Sequence, residues 1–450
     1  MSENKINLLS QEVLSQLELR ETELLTWGFI EVSYNLKSRI SDILDDPPTT
    51  LITKLWKELK DEGVSIDDII SNLIERKLVF ANSEGKSRTR YAETFRLLSL
   101  LKQRFDFDDW QIAPDLVSNI KPRLRYRRYP KRNQSWDKVK SDLKSKGIDN
   151  SFKIDIVKKL LGNGELDLAK FQKDALEHIL KNSTPPKDLA TIIGAGTGSG
   201  KTLSFYLPAI TEISFILTED SSHWTKALTV YPRIELLKDQ LNEAVEQISK
   251  LNNLLKERGL RPIKVGAYYG ETPYTASNIK KSDYFNWEET EKGNKCPFLF
   301  CPECEENLIW LEKDQKKETE NLQCPNLECN YILSQDNVII TRNRMKETPP
   351  DILFTTTEML NRNLFNSEYQ HIFGINSNTP PKFVLLDEVH IYNGVNGAQI
   401  SYLLKRWRNM IGSFDRNLVH FVGLSATLTN PKKFFSKLSG VKKDDTKYIT

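Results

Sequence analysis

The segment Thr191–Thr202 constrains this chain more than any other. Thr191-Ile-Ile reads as a short buried strand, and Leu203–Ile213 reads as a helix. Between them lies Gly194-Ala-Gly-Thr-Gly-Ser-Gly-Lys-Thr202. A strand that turns through glycines into a helix leaves bare backbone N–H groups at a helix N-terminus, a ready seat for phosphate. The usual pattern has Gly six residues before the Lys. Here that position is Ala195, so the loop takes the Ala-x-x-Gly-x-Gly-Lys-Thr form. The reading assigns Ala195, Gly196, Thr197, Gly198, Ser199, Gly200, Lys201 and Thr202 to a nucleoside triphosphate. Lys201 serves the β/γ phosphates, and the Thr202 hydroxyl serves Mg²⁺.

A phosphate loop of this kind needs a parallel sheet around it. From about Ala190 onward, short apolar runs alternate with helical stretches: LATIIGAG, KALTVYPR, PPDILFTT, FVLLDE and LVHFVGLSAT. Each run ends in small or polar residues, as expected where ligands bind at the carboxyl ends of parallel strands. Phe383-Val-Leu-Leu runs into Asp387-Glu-Val-His390. Asp387 is placed to hold Mg²⁺ and Glu388 to polarise an attacking water, with His390 as a link to a second domain.

Taken in order, AGTGSGKT, DEVH and Ser425-Ala-Thr427 resemble motifs I, II and III of DEAD/DEAH-box superfamily 2 helicases. The resemblance covers roughly residues 165–450. Phe171-Gln172 resembles the Q motif, which implies that Gln172 reads the adenine edge. Tyr231-Pro-Arg-Ile-Glu-Leu236 through Gln240 resembles motif Ia, and Thr355–Leu360 resembles the segment near motif Ib. These imply nucleic-acid backbone contacts at Pro232, Arg233 and Thr356, and coupling through Ser425, Ala426 and Thr427. DEVHIYNGVNGAQ followed by SATLTNPKKFFSKLSG is most similar to the MrfA/Hrq subgroup of DNA helicases. It is also similar to large bacterial defence helicases of the Druantia type or of deazaguanine-DNA systems.

The family implies a second RecA-like domain with an arginine finger. Only 23 residues follow Thr427, and they carry no such motif. The expectation is that this domain comes later in a longer chain or from a partner protein. LSGVKKDDTKYIT stops where another strand would begin. Residues 1–450 alone are then expected to bind ATP–Mg²⁺ and hydrolyse it slowly. The alternative is an ATP-gated nucleic-acid or partner-binding platform without processive unwinding.

The interval 271–348 breaks the strand–helix rhythm and reads as an insertion. All five cysteines lie between Cys296 and Cys329. Cys301-Pro-Glu-Cys304 and Cys324-Pro-Asn-Leu-Glu-Cys329 have the spacing of two thiolate-bearing turns, which suits a structural Zn²⁺ in a ribbon-like fold. Cys296 is spare, and could replace one ligand.

Residues 1–150 read as a mainly helical accessory domain, with 151–450 as the first RecA-like domain. Ser65–Leu78 opens like a capping box, and VFANSEGKSRTRYA follows as a β-like wing. That order suits a winged helix. Lys121–Arg132, KPRLRYRRYPKR, has seven basic residues in twelve, with Tyr126 and Tyr129 interleaved. Arg125, Arg127 and Arg128 are the candidate contacts to nucleic-acid phosphates, with DNA the expected polymer. The chain has a formal net charge of only +3, so any such surface is local. Without an apolar leader or a long apolar run, the reading is a cytoplasmic α/β protein with no membrane partner.

Overall fold

A computed structural model of the chain describes residues 2–26, 29, 32–81, 85–102, 113–117, 130–183, 189–196, 200–279, 286–412, 419–426 and 428–450. It divides into two compact units, residues 1–127 and 128–450.

The first unit is helical, with one small hairpin. Helices Ser2–Thr26, Leu36–Asp45, Thr50–Asp61 and Ile66–Glu75 bury a shared core that includes Leu9, Val13, Ile40, Ile52, Leu59 and Leu73. Ser65 caps the fourth helix, and its backbone N–H donates to Asp68 Oδ2 at 2.7 Å, the reciprocal box its sequence announces. Val79–Ala81 and Ser87–Thr89 then pair antiparallel. Glu21 is fully buried beneath this hairpin. It accepts from the Thr89 N–H at 2.8 Å and from the Tyr34 hydroxyl at 2.8 Å. Helices followed by a hairpin is the order anticipated for a winged helix.

The second unit is built on an eight-stranded, all-parallel sheet. Its strands are β1 (Leu189–Gly194), β2 (Ala227–Tyr231), β3 (Val265–Tyr268), β4 (Val338–Ile339), β5 (Ile352–Thr356), β6 (Phe383–Leu386), β7 (His420–Ser425) and β8 (Thr446–Ile449). Their spatial order is β4-β3-β5-β2-β6-β7-β1-β8. The strands are nearly continuous in Val, Ile, Leu and Phe because helices cover both faces. Helices α1 (Lys170–Lys181), α2 (Leu203–Glu219), α3 (Ile234–Ser249), α4 (Thr357–Asn363), α5 (Gly394–Met410) and α6 (Pro431–Ser439) are the ones that bear on the site. This is the RecA-like arrangement expected. Thr446–Ile449, where the sequence reading places the start of another strand, pairs parallel with β1 and forms the sheet's edge.

The sheet is tied at its other end by a buried ion cluster. Asp351, at the start of β5, is fully buried and accepts from both Nη atoms of Arg261, each at 2.7 Å. It also accepts from Lys226 Nζ at 2.8 Å and from the Lys264 N–H at 2.9 Å. These donors precede β2 and β3, so one carboxylate pins three neighbouring strands.

Within 271–348 a separate antiparallel sheet forms from Glu288–Thr290, Gly293–Phe300, Asn307–Leu311, Leu322–Gln323 and Ile332–Leu333. Its chain then returns to the main sheet as β4. Asn242 of α3 clamps the insertion: its amide donates to Phe298 O at 2.9 Å and accepts from the Phe300 N–H at 2.8 Å.

Candidate active site

Because every strand of the main sheet runs the same way, their carboxyl ends share one edge. β1 delivers the glycine loop, β6 delivers Asp387 and Glu388, and β7 delivers Ser425 and Ala426. β2 delivers Pro232 and Arg233, and β5 ends on Thr356. The register fixes these neighbours. Ser425 pairs with Gly194, and the Ala195 N–H donates to Ser425 O at 3.2 Å.

Lys201 is almost fully buried, and its Nζ lies 3.6 Å from Glu388 Oε1. The other Glu388 oxygen lies 3.0 Å from His390 Nδ1. Glu388 itself sits at φ +46°, a strained conformation for a residue with a side chain. Asp387 is buried, and burial pushes its carboxyl up to about 6. Its Oδ1 accepts from the Glu388 N–H at 2.7 Å. Among the described residues, Lys201 Nζ and Ser425 Oγ are buried without a hydrogen-bond partner. A buried ammonium, an orphaned hydroxyl and a carboxylate at one sheet edge form a donor set that suits a triphosphate with a divalent cation.

Gln172 is buried at the start of α1. Its Oε1 accepts from the Ala169 N–H at 2.7 Å, and its Nε2 donates to Gly200 O at 2.8 Å. The side chain expected at the adenine edge is thus already fastened to the phosphate loop. Phe171, beside it, is buried in the core. Gly200 takes φ +76°, which its lack of a side chain permits. Thr197, Gly198, Ser199 and Thr427 lie outside the described residues, as do Arg125, Arg127 and Arg128.

A cleft of about 1070 Å³ opens beside this edge. It brings Pro232, Arg233 and Thr356 together with Glu388 and His390. Gly270 and Arg362 also line it, and no motif spacing marks either of them. Glu243 is equally illegible in sequence. It lies on α3, bonds the Thr202 hydroxyl, and is pushed up to about 7 by burial, with Glu246 and Asp387 adding to the shift. Its one sequence signal is helical spacing of about a turn from Gln240. The α2 and α3 helices are joined where Tyr206 OH donates to Gln240 O at 3.1 Å.

The four cysteines of the insertion converge. Cys301, Cys304, Cys324 and Cys329 have all their sulfurs within 4.8 Å of one another. Cys301 and Cys329 are 3.5 Å apart, and Cys304 and Cys324 are 3.3 Å apart. Four thiolates at Zn–S of about 2.3 Å would stand about 3.8 Å apart in a tetrahedron, so the cluster fits that ion. Cys296 is buried on strand Gly293–Phe300 and is not part of the cluster.

Among the described residues, no helix is long and apolar enough to cross a membrane. A family model described as DEAD/DEAH box helicase matches residues 169–281 and 308–434. The chain is 27% identical over 277 residues to Druantia protein DruE of Escherichia coli (strain UMEA 4076-1), covering 53% of this chain and 14% of that protein. It is 23% identical over 281 residues to ATP-dependent helicase hrq1 of Schizosaccharomyces pombe, covering 62% of this chain and 18% of that one. It thus spans less than a fifth of either relative. Among solved structures it is similar to the DUF1998 helicase MrfA bound to DNA, with a TM-score of 0.39 and 18% identity over 65% of this chain and 27% of that one.

Proposed function

This chain belongs to the DEAD/DEAH box helicase family, and from that premise we propose that residues 1–450 carry the ATP-gripping part of a DNA helicase or translocase. One observation carries the reading: Lys201, Asp387, Glu388 and Gln172, far apart in sequence, meet around one glycine loop. The resemblance of DEVHIYNGVNGAQ and SATLTNPKKFFSKLSG to the MrfA/Hrq subgroup of DNA helicases favours DNA as the polymer. The similarity to a Druantia protein favours a role in antiviral defence.

In this reading Lys201 exchanges its ion pair with Glu388 for the more highly charged β/γ phosphates. Glu388 is thereby released toward the attacking water, still oriented by His390. Thr202 and Asp387 would hold Mg²⁺, which supplies neutralisation of the charge that develops on the phosphates. Gln172 reads the adenine edge, and Ser425–Thr427 with His390 pass the nucleotide state to a second RecA-like domain. Pro232, Arg233 and Thr356 hold the nucleic-acid backbone along the cleft. The Cys₄ cluster holds a structural Zn²⁺ that fixes the insertion.

The arginine finger of a second RecA-like domain, in a longer chain or a partner, completes the site. Such a finger is worth about 10³–10⁵ in rate, so residues 1–450 should bind Mg–ATP and turn it over slowly. Lys201→Ala should abolish that binding. Robust, DNA-stimulated hydrolysis by residues 1–450 alone would overturn the need for a second half. Strand displacement by the complete assembly separates a motor from a platform. ATP-dependent clamping without displacement or translocation would identify an ATP-gated binding platform instead.

A further inference from the structure

Arg132 closes the basic run that the sequence offers to nucleic acid, yet it lies at the phosphate loop. Strand Arg132–Gln134 pairs antiparallel with Leu168–Ala169, which places Arg132 opposite Ala169. Ala169 is the residue from which α1 starts, and Gln172 reaches back to bond its N–H. The guanidinium is carried across to Gly200. A Cβ built on Gly200 would lie 3.0 Å from Gln172 Nε2 and 3.1 Å from Arg132 Nη2. The two side chains thus flank the same backbone atom.

Arg132 is exposed, and no carboxylate pairs with it among the described residues. Arg261, which has a structural task, is instead held bidentately by Asp351. Lys201 already supplies the cation that points at the phosphates from inside the loop. Arg132 stands outside the loop, beside the side chain that faces the base. A guanidinium is planar and weakly hydrated, so it lies flat on an aromatic ring at little desolvation cost.

We propose that Arg132 is a nucleotide-binding residue that stacks its guanidinium on the adenine of the bound triphosphate, next to Gln172. The proposal rests on the nucleotide-site reading above. It moves the last residue of the basic strip from the nucleic-acid surface to the ATP site.

The test is equilibrium binding of a fluorescent ATP analogue and of ADP to residues 1–450, wild type, Arg132→Ala, Arg132→Lys and Lys201→Ala. Inorganic tripolyphosphate serves as a competitor that lacks the base. Stacking predicts that Arg132→Ala weakens ATP and ADP about five- to tenfold, since a desolvated cation–π contact has that worth. Arg132→Lys should recover little of it, because an ammonium has no plane to stack. Tripolyphosphate affinity should stay at the wild-type value in both Arg132 variants. Unchanged nucleotide affinity in Arg132→Ala would overturn the proposal, and so would an equal loss for tripolyphosphate, which marks a phosphate contact. Weakened DNA binding with intact ATP binding would return Arg132 to the basic strip. If wild-type protein binds neither ATP nor tripolyphosphate, it is the nucleotide-site reading that fails. Thermal melting of each variant checks the fold, which an exposed side chain should leave unaltered.

Discussion

Replacing Asp351 by Ala should cost the second unit more stability than any active-site substitution. The carboxylate has four donors: Arg261 Nη1 and Nη2, Lys226 Nζ and the Lys264 N–H. Arg261 keeps some contact with solvent and can hydrate when its partner goes. Lys226 is wholly buried, and its remaining acceptors are Ser222 O at 3.2 Å and Trp224 O at 3.4 Å. Its ammonium would be left close to unpaired, the situation that makes breaking a buried ion pair cost about 3–5 kcal/mol. For a unit of this size each kcal/mol lowers Tm by about 2–4 °C, so a fall of roughly 10 °C is expected by scanning calorimetry. The double variant Lys226→Met/Asp351→Leu should recover at least half of it, because an apolar pair needs no counter-charge. The pH dependence has a defined sign. Burial pushes Asp351 up, but Arg261 and Lys226 together outweigh it and hold the carboxyl below its ordinary value. Its contribution is therefore complete above the unfolded value of about 4 and is lost as pH falls through the lower folded value. Burial pulls Lys226 down while Asp351 opposes it; the Asp351 shift is the firmer of the two, because four donors converge on that carboxylate. The melting curves of wild type and Asp351→Ala should thus converge below about pH 4. A Tm loss under about 3 °C at neutral pH, or a gap that widens on acidification, would refute the argument.

Two further outcomes follow from the other clusters. Zinc analysis should find about one ion per chain, lost in the double variant Cys301→Ser/Cys304→Ser with a lower melting temperature; folded protein free of metal would exclude the site. Replacing Arg125, Arg127 and Arg128 together should lower DNA affinity and reduce the slope of log K against log salt by about 2–3, since each phosphate contact adds about 0.9. An unchanged slope would show that the strip does not touch the backbone.

What was legible in the sequence is what chain-local physics demands. Glycines, a lysine and a helix start must stand together to seat a phosphate, so Ala195–Thr202 could be read without a fold. Asp387 and Glu388 could be read because a buried apolar strand must end before charge begins. The paired cysteines could be read because two thiolates per turn is a local geometry, and all four sulfurs do meet. Gly270 and Arg362 could not be read this way. Each reaches the cleft by the packing of separate strands, and neither has a spacing rule.

Arg132 and Glu243 show why the rest stayed hidden. Local composition groups Arg132 with the arginines before it, toward nucleic acid. Its strand pairing with Leu168–Ala169 turns it toward Gly200 instead, and nothing in a run of basic residues encodes that pairing. Glu243 follows Asn242 on α3, and successive helical positions point about 100° apart. Asn242 therefore holds the insertion at Phe298 and Phe300, while Glu243 reaches the Thr202 hydroxyl. The sequence around them, LNEAVEQ, reads as one ordinary amphipathic turn. Only the sheet, by setting α3 between the insertion and the phosphate loop, makes those two neighbours serve two different parts of the molecule.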